Sequence, residues 1–160
     1  MAKGIDVTVA AIIEREERFL VVEERVAGRV VLNQPAGHLE HGESLLAAVV
    51  RETLEETGYR FEPDSIVGIY LWQSDEAATT FLRVAFCGAA QAPSTAPRLD
   101  DGIVDVHWLT RGELTDRGHE LRSPMVMQCF DDYLAGTRYP LECLKHLEPT
   151  VERRVRVALR

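Results

Sequence analysis

The chain has little sulfur chemistry to offer. Its three cysteines, Cys87, Cys129 and Cys143, are odd in number and far apart, with no Cys-x-x-Cys and no accompanying histidine pair. That spacing excludes a zinc module or a disulfide scaffold and leaves reduced packing residues. Long apolar runs are also missing. Val7 to Ile13 is too short to span a bilayer and reads as a strand. With no basic region leading into an apolar run near the N-terminus, a soluble, cytoplasmic protein is expected. Basic residues are in the minority, with 18 Lys and Arg against 26 Asp and Glu and a net charge of -8, which argues against non-specific binding to a nucleic-acid backbone. There are no internal repeats and no low-complexity segment. At 160 residues and 46% hydrophobic content, one domain with a single core is expected, over residues 1–146, followed by a basic, frayed tail over 147–160.

What the chain does have is concentrated between Gly37 and Tyr59, GHLEHGESLLAAVVRETLEETGY. Ser44 to Thr57 lacks Pro and Gly, is rich in Leu, Ala, Glu and Arg, and is followed by Gly58, so it predicts a helix with Ser44 as N-cap. A capping box is absent, because Ala47 stands where Glu or Gln would reach back. At about 100° per residue, Leu46, Val50 and Leu54, flanked by Ala47, Thr53 and Thr57, form the expected core arc. Glu52, Glu55 and Glu56 fall in one stripe on the other side. Three carboxylates so spaced repel one another, and a divalent cation would turn that repulsion into coordination. The default reading of any acidic helix is a solvated face. Here the surrounding pattern overrides it.

Gly37, Glu43, Arg51, Glu52, Glu55, Glu56 and Gly58 fill every fixed position of G-x5-E-x7-R-E-x-x-E-E-x-G. On that pattern the chain resembles the Nudix hydrolases. Thr53 and Tyr59 stand where that signature prefers aliphatic residues; neither position faces a metal. Outside the signature, VTVA at 7–10, FLVVEE at 19–24, NQPAGHLE at 33–40, FLR at 81–83, LRSP at 121–124 and RYPLE at 138–142 look like the NudJ-type phosphatases of that family. The resemblance implies a magnesium-dependent enzyme, with manganese as an alternative ion, acting on a small-molecule phosphate anhydride. The NudJ-type substrates it implies are nucleoside di- and triphosphates and the diphosphates of thiamine and its hydroxymethylpyrimidine precursor. It also makes Glu52, Glu55 and Glu56 metal ligands, with the Gly37 carbonyl as a further one. Glu43 and Arg51 are expected to form an ion pair that orients the loop, with contact between Arg51 and phosphate as the alternative. The general base stays open among Glu55 and Glu56 on the helix and Glu76, Asp100 and Asp101 in loops.

Gln34 and His38 flank the glycine loop, and Trp72 and Arg83 lie on strands that can line its mouth; these four are the expected substrate contacts. Arg122 and Tyr139 either touch the organic part of the substrate or lock the C-terminal helix. Two other functions compete with the phosphatase: a pyrophosphohydrolase of another specificity, and a nucleotide sensor without catalysis. A sensor would have no use for a repulsive carboxylate stripe. The protein is expected to be a monomer or a homodimer.

The remaining pattern predicts a hairpin from Asp6–Ile13 and Arg18–Glu23 around the turn 14–17, a short strand over 30–32, strands over 65–73 and 79–87, and a loop over 88–101. A strand over 103–109, a short helix near 111–114 and a second substantial helix over 125–134 follow. Strands surrounding helices in this order suit an α/β (α+β) fold of the Nudix type, a mixed sheet in an α/β/α sandwich.

Overall fold

In a computed structural model, which describes residues 4–76 and 78–148, the first strand, β1 (Ile5–Ile12), is apolar on both faces. Ala10 and Ile12 pack into one cluster with Val126, Cys129 and Phe130, whereas Val9 and Ala11 pack into a second with Ala48, Val49, Phe61 and Phe86. A strand buried on both sides belongs inside a sheet covered by helices on both faces.

The chain continues through β2 (Glu14–Arg15), β3 (Arg18–Val26), β4 (Arg29–Asn33), β5 (Ala36–His38), α1 (Leu45–Thr57), β6 (Arg60–Ser74), β7 (Thr79–Gln91), β8 (Ile103–Thr110), α2 (Arg111–Asp116), α3 (Pro124–Leu134) and β9 (Tyr139–Pro140). One mixed sheet has the order β5-β1-β7-β6-β9, with β1 and β7 parallel and the other pairs antiparallel. In the second sheet β3 pairs antiparallel with β2, β4 and β8. Helix α1 covers one face of the mixed sheet and α3 the other, giving the expected α/β/α sandwich. Among the described residues no helix is long and apolar enough to cross a membrane. The basic tail expected over 147–160 lies, from residue 149 on, outside the described residues.

Three expectations are corrected. The hairpin between the first two long strands does not form: the chain leaves the mixed sheet at Ile13, whose carbonyl accepts from Leu20 N–H at 2.9 Å, and only the two residues of β2 fold back on β3. The turn itself is where it was expected, with Glu16 and Glu17 at φ 51° and 59°. The strands over 65–73 and 79–87 are both longer, from Arg60 and to Gln91. Register shifts at Pro63/Ser65 and Ile66/Gly68 let β6 carry a proline, and opposite it Gly88 comes so close that a Cβ there would lie 2.0 Å from the Glu62 carbonyl oxygen.

The third correction concerns α1. Its ends are as expected: Ser44 Oγ accepts from Ala47 N–H at 3.1 Å, and Gly58, at φ 76°, donates to Leu54 O at 2.8 Å. Its buried face is rotated. Ala48, Val49, Thr53, Glu56 and Thr57 are buried, whereas Leu54 is 47% exposed and Leu46 and Val50 only flank the cluster. The threonines can be buried because their hydroxyls donate one turn back, Thr53 to Val49 O at 2.7 Å and Thr57 to Thr53 O at 2.6 Å. Turning this face inward carries the glutamates with it.

Candidate active site

Strand β5 lies on β1 in the register Thr8↔His38, Val9↔Gly37 and Ala10↔Ala36, and α1 returns across it. A Cβ on Gly37 would fall 2.0 Å from Glu52 Cδ, so only glycine admits that carboxylate against the strand. Glu56 is 7% exposed, and its Oε2 accepts from Ala36 N–H at 2.9 Å. Burial pushes its carboxyl up to about 9 against that hydrogen bond, and the neighbouring Glu24, Glu52 and Asp100 push it the same way. Burial also raises Glu52, with Arg51 opposing.

Arg51 ties the element together. Its Nε and Nη2 donate to the two oxygens of Glu43 at 3.0 and 2.7 Å, and its Nη1 donates to Glu52 at 2.8 Å and Glu55 at 3.1 Å. Nη2 also reaches the His38 carbonyl at 3.1 Å. This forked pairing holds Arg51 above its ordinary range, chiefly through Glu43, and holds Glu43 below its own. With Glu43 Oε1 accepting from Glu40 N–H at 2.8 Å, the loop before α1 is fixed to the helix by charge-assisted bonds.

Gly37, Glu52 and Glu56 open into a cleft of about 940 Å³. Of the expected substrate contacts, His38, Trp72 and Arg83 line it. Trp72 stacks on Phe81 with ring centroids 5.6 Å apart and planes at 18°. Gln34 does not line it. It is fully buried, donating to Val126 O at 2.7 Å and accepting from Arg83 Nη1 at 3.0 Å, and so acts as a strut between α3 and β7. Glu43 and Glu55 stand outside the cleft, on Arg51. Of the loop carboxylates, Glu76 is on the rim, while Asp100 and Asp101 line a separate hollow of about 370 Å³. Asp100 N–H donates to the Glu55 carbonyl at 3.0 Å, which keeps its charge near the helix. Arg122 lines the cleft, whereas Tyr139 pairs with Ile66 on the outer edge of β6. The sequence reading missed Thr8, Glu24, Asn33, Phe81, Ser123 and Met125 in the cleft wall. Phe81 had a signal: two residues before Arg83, it shares that strand face.

Among the described residues no three carboxylate, histidine or cysteine side chains converge as a ready metal cage, since Glu52 and Glu55 both turn to Arg51. The donors nevertheless suit a hard divalent cation. Glu52 and Glu56 present oxygen ligands in a buried, net acidic corner where a cation would offset their desolvation.

A mixed sheet between two helical layers carries, at the mouth of a cleft, the glycine-backed pair Glu52 and Glu56, a donor set suited to a metal-held phosphoric anhydride. The chain belongs to the Nudix hydrolase family: the NUDIX domain profile matches residues 4–129. It is 38% identical to phosphatase NudJ of Escherichia coli over 138 residues, covering 86% of this chain and 89% of that protein. A NUDIX hydrolase from Nitrosomonas europaea superposes with a TM-score of 0.88 at 46% identity, covering 90% of this chain and 98% of the other. The NUDIX domain of Shewanella oneidensis NrtR, solved with ADP ribose, shares the fold at a TM-score of 0.66 and 17% identity, with 84% and 89% covered. Nudix hydrolases work with divalent metals.

Proposed function

We propose that this protein is a magnesium-dependent phosphatase that releases orthophosphate from nucleoside tri- and diphosphates, and from thiamine diphosphate or the diphosphate of its hydroxymethylpyrimidine precursor. The observation that carries the reading is the Glu52–Gly37–Glu56 corner opening into a cleft, in a chain similar to NudJ over most of both lengths.

Glu52 and Glu56 would hold the ion, with the Gly37 carbonyl beside them; manganese satisfies the same oxygen donors. Such an ion neutralises phosphate oxygens and lowers the pKa of an attacking water. The rest falls to the chain. Arg51 works through Glu52 and the 38–43 loop and is a positioning residue. Glu55 is 40% exposed and is tied to Arg51 through Oε2, which leaves Oε1 to join the ion or to take a proton from water. Trp72 and Phe81 offer a flat apolar surface for the organic ring of the substrate.

Product analysis tests this, using GTP, GDP, thiamine diphosphate and ADP-ribose with magnesium and an EDTA control. Stepwise orthophosphate from GTP and GDP, and orthophosphate from thiamine diphosphate, is the expected result. Pyrophosphate from GTP, or AMP from ADP-ribose, would reassign the specificity within the family, and no product from any substrate would sink the enzymatic reading.

A further inference from the structure

Strand β6 is guarded over its first half only. Arg60, Glu62 and Asp64 alternate along its exposed side, Pro63 interrupts it, and β9 covers its outer edge opposite Ser65 and Ile66. Charge, proline and a covering segment are the devices that keep an edge strand from pairing with another chain. Between Asp64 and Asp75 the sequence has neither charge nor proline. From Val67 to Gln73, β6 is nonetheless the outermost strand of the mixed sheet, and among the described residues it pairs there with β7 on its inner side alone.

The exposed face of this stretch is aliphatic. Ile69 is 63% exposed and Leu71 65%, while Tyr70 and Trp72, on the other face, are half-buried. A row of open backbone donors and acceptors beside exposed aliphatic side chains is a surface that takes an added strand.

The strand that suits it is β6 of a second copy. The protein carries a net charge of -8, so two copies repel one another over much of their surface, and this edge has no charge to repel or to attract an acidic or basic peptide. In an antiparallel pair, opposite residues share a face, so a two-fold axis between identical strands has to pass by a residue. Leu71 is the middle of 69–73. Pairing there sets Leu71 against Leu71 of the second copy, Ile69 against Gln73, and Tyr70 against Trp72. The ends are complementary in charge. Tyr139 lies opposite Ile66, so Arg138 stands beside Val67, where the second copy's chain turns at Asp75 and Glu76. Arg138 is exposed and donates to the carbonyls of Tyr133 at 3.0 Å and Thr137 at 2.8 Å rather than to a carboxylate. On the α3 face, Asp132 already accepts from Tyr70 Oη at 2.9 Å and Gln128 Nε2 at 3.0 Å, so its charge is engaged within its own copy.

We propose that the protein forms a two-fold dimer through β6, joining two mixed sheets edge to edge with the axis at Leu71. Trp72 lines the cleft, so each copy's Tyr70 backs a residue of the other's cleft wall. Five paired residues span about 17 Å, a small interface, and dissociation in the micromolar range is expected. Sedimentation of the full chain from about 1 to about 500 µM tests this. A monomer–dimer equilibrium is expected, and Leu71→Lys should weaken it at least about tenfold with an unchanged melting curve, since it sets like charges opposite each other at an exposed position. A second experiment locates the axis. With the exposed native thiol removed by Cys143→Ser, Leu71→Cys should join two copies through a short bis-maleimide. Ile69→Cys, displaced from its counterpart by about 13 Å along the strand, should not. This pair of variants decides the matter if Leu71→Lys fails to fold. A monomer at every concentration, which would leave the edge to some other chain, overturns the proposal. So does a dimer that Leu71→Lys leaves intact or that crosslinks equally at both positions.

Discussion

At Gly37 the strand and the Glu52 carboxyl carbon occupy the space of a missing side chain. Gly37→Ala should therefore leave the fold intact, because a flexible carboxylate can swing aside, while turnover falls by about 100-fold, the cost of misplacing a reacting group by an ångström. Near-normal kcat in a variant with an unchanged melting curve would show that Glu52 works from another position. Glu56→Gln keeps an acceptor for Ala36 N–H but loses the charge, and turnover should drop by at least about 100-fold. The same residue gives the metal-free protein a pH signature. Its folded carboxyl titrates near 9 against an ordinary 4.5, so the folded state binds the proton more tightly. The stability this contributes is whole below about pH 4.5 and is lost as pH rises towards and through 9. In EDTA, the melting temperature of the parent should fall relative to that of Glu56→Gln between pH 5 and 9, and magnesium should close the gap. Parallel pH curves for the two proteins would contradict the buried charge. The identities of these residues were legible in the chain from their spacing. Their burial was not, because a glutamate reads as solvent-facing until the partner strand that covers it is known.

Helix α1 depends on Arg51 more than on its caps. Arg51→Lys keeps the charge but loses the fork that holds both Glu43 oxygens and the Glu52 contact, and should cost about 1.5–3 kcal/mol in chemical denaturation, whereas Ser44→Ala should cost about 1 kcal/mol. Equal costs would mean the 38–43 loop is held by something else. Both ends of this helix were readable from Ser44 and Gly58. Its inward face was not, because Thr53 and Thr57 hide their hydroxyls in their own helix and so can be buried beside Val49, a choice no hydrophobicity pattern records. The β1–β3 hairpin misled for a related reason. The turn residues 14–17 specify a turn, while the long strands on either side of it take partners far along the chain, β7 for β1 and β8 for β3.

Across the whole molecule, two apolar clusters sit on opposite faces of the mixed sheet, one under α3 around Phe130 and one under α1 around Val49. Phe130→Ala should cost about 3–5 kcal/mol. The double variant with Val49→Ala should match the sum of the single costs to within about 0.5 kcal/mol, since the sheet separates the sites. A larger coupling in urea denaturation would show that the sheet transmits packing changes between its faces. The parallel pairing of β1 with β7, Ile5 beside Thr80 and Ile12 beside Cys87, has a temporal side as well. A ribosome adding about 5–20 residues per second leaves β1 waiting on the order of ten seconds for its neighbour to be made. For that interval a strand destined for burial on both faces has neither, which makes it the segment of a nascent chain that a chaperone would hold. Thr8 meets Arg83 only when that wait ends, so the cleft is among the last parts of the newborn protein to exist.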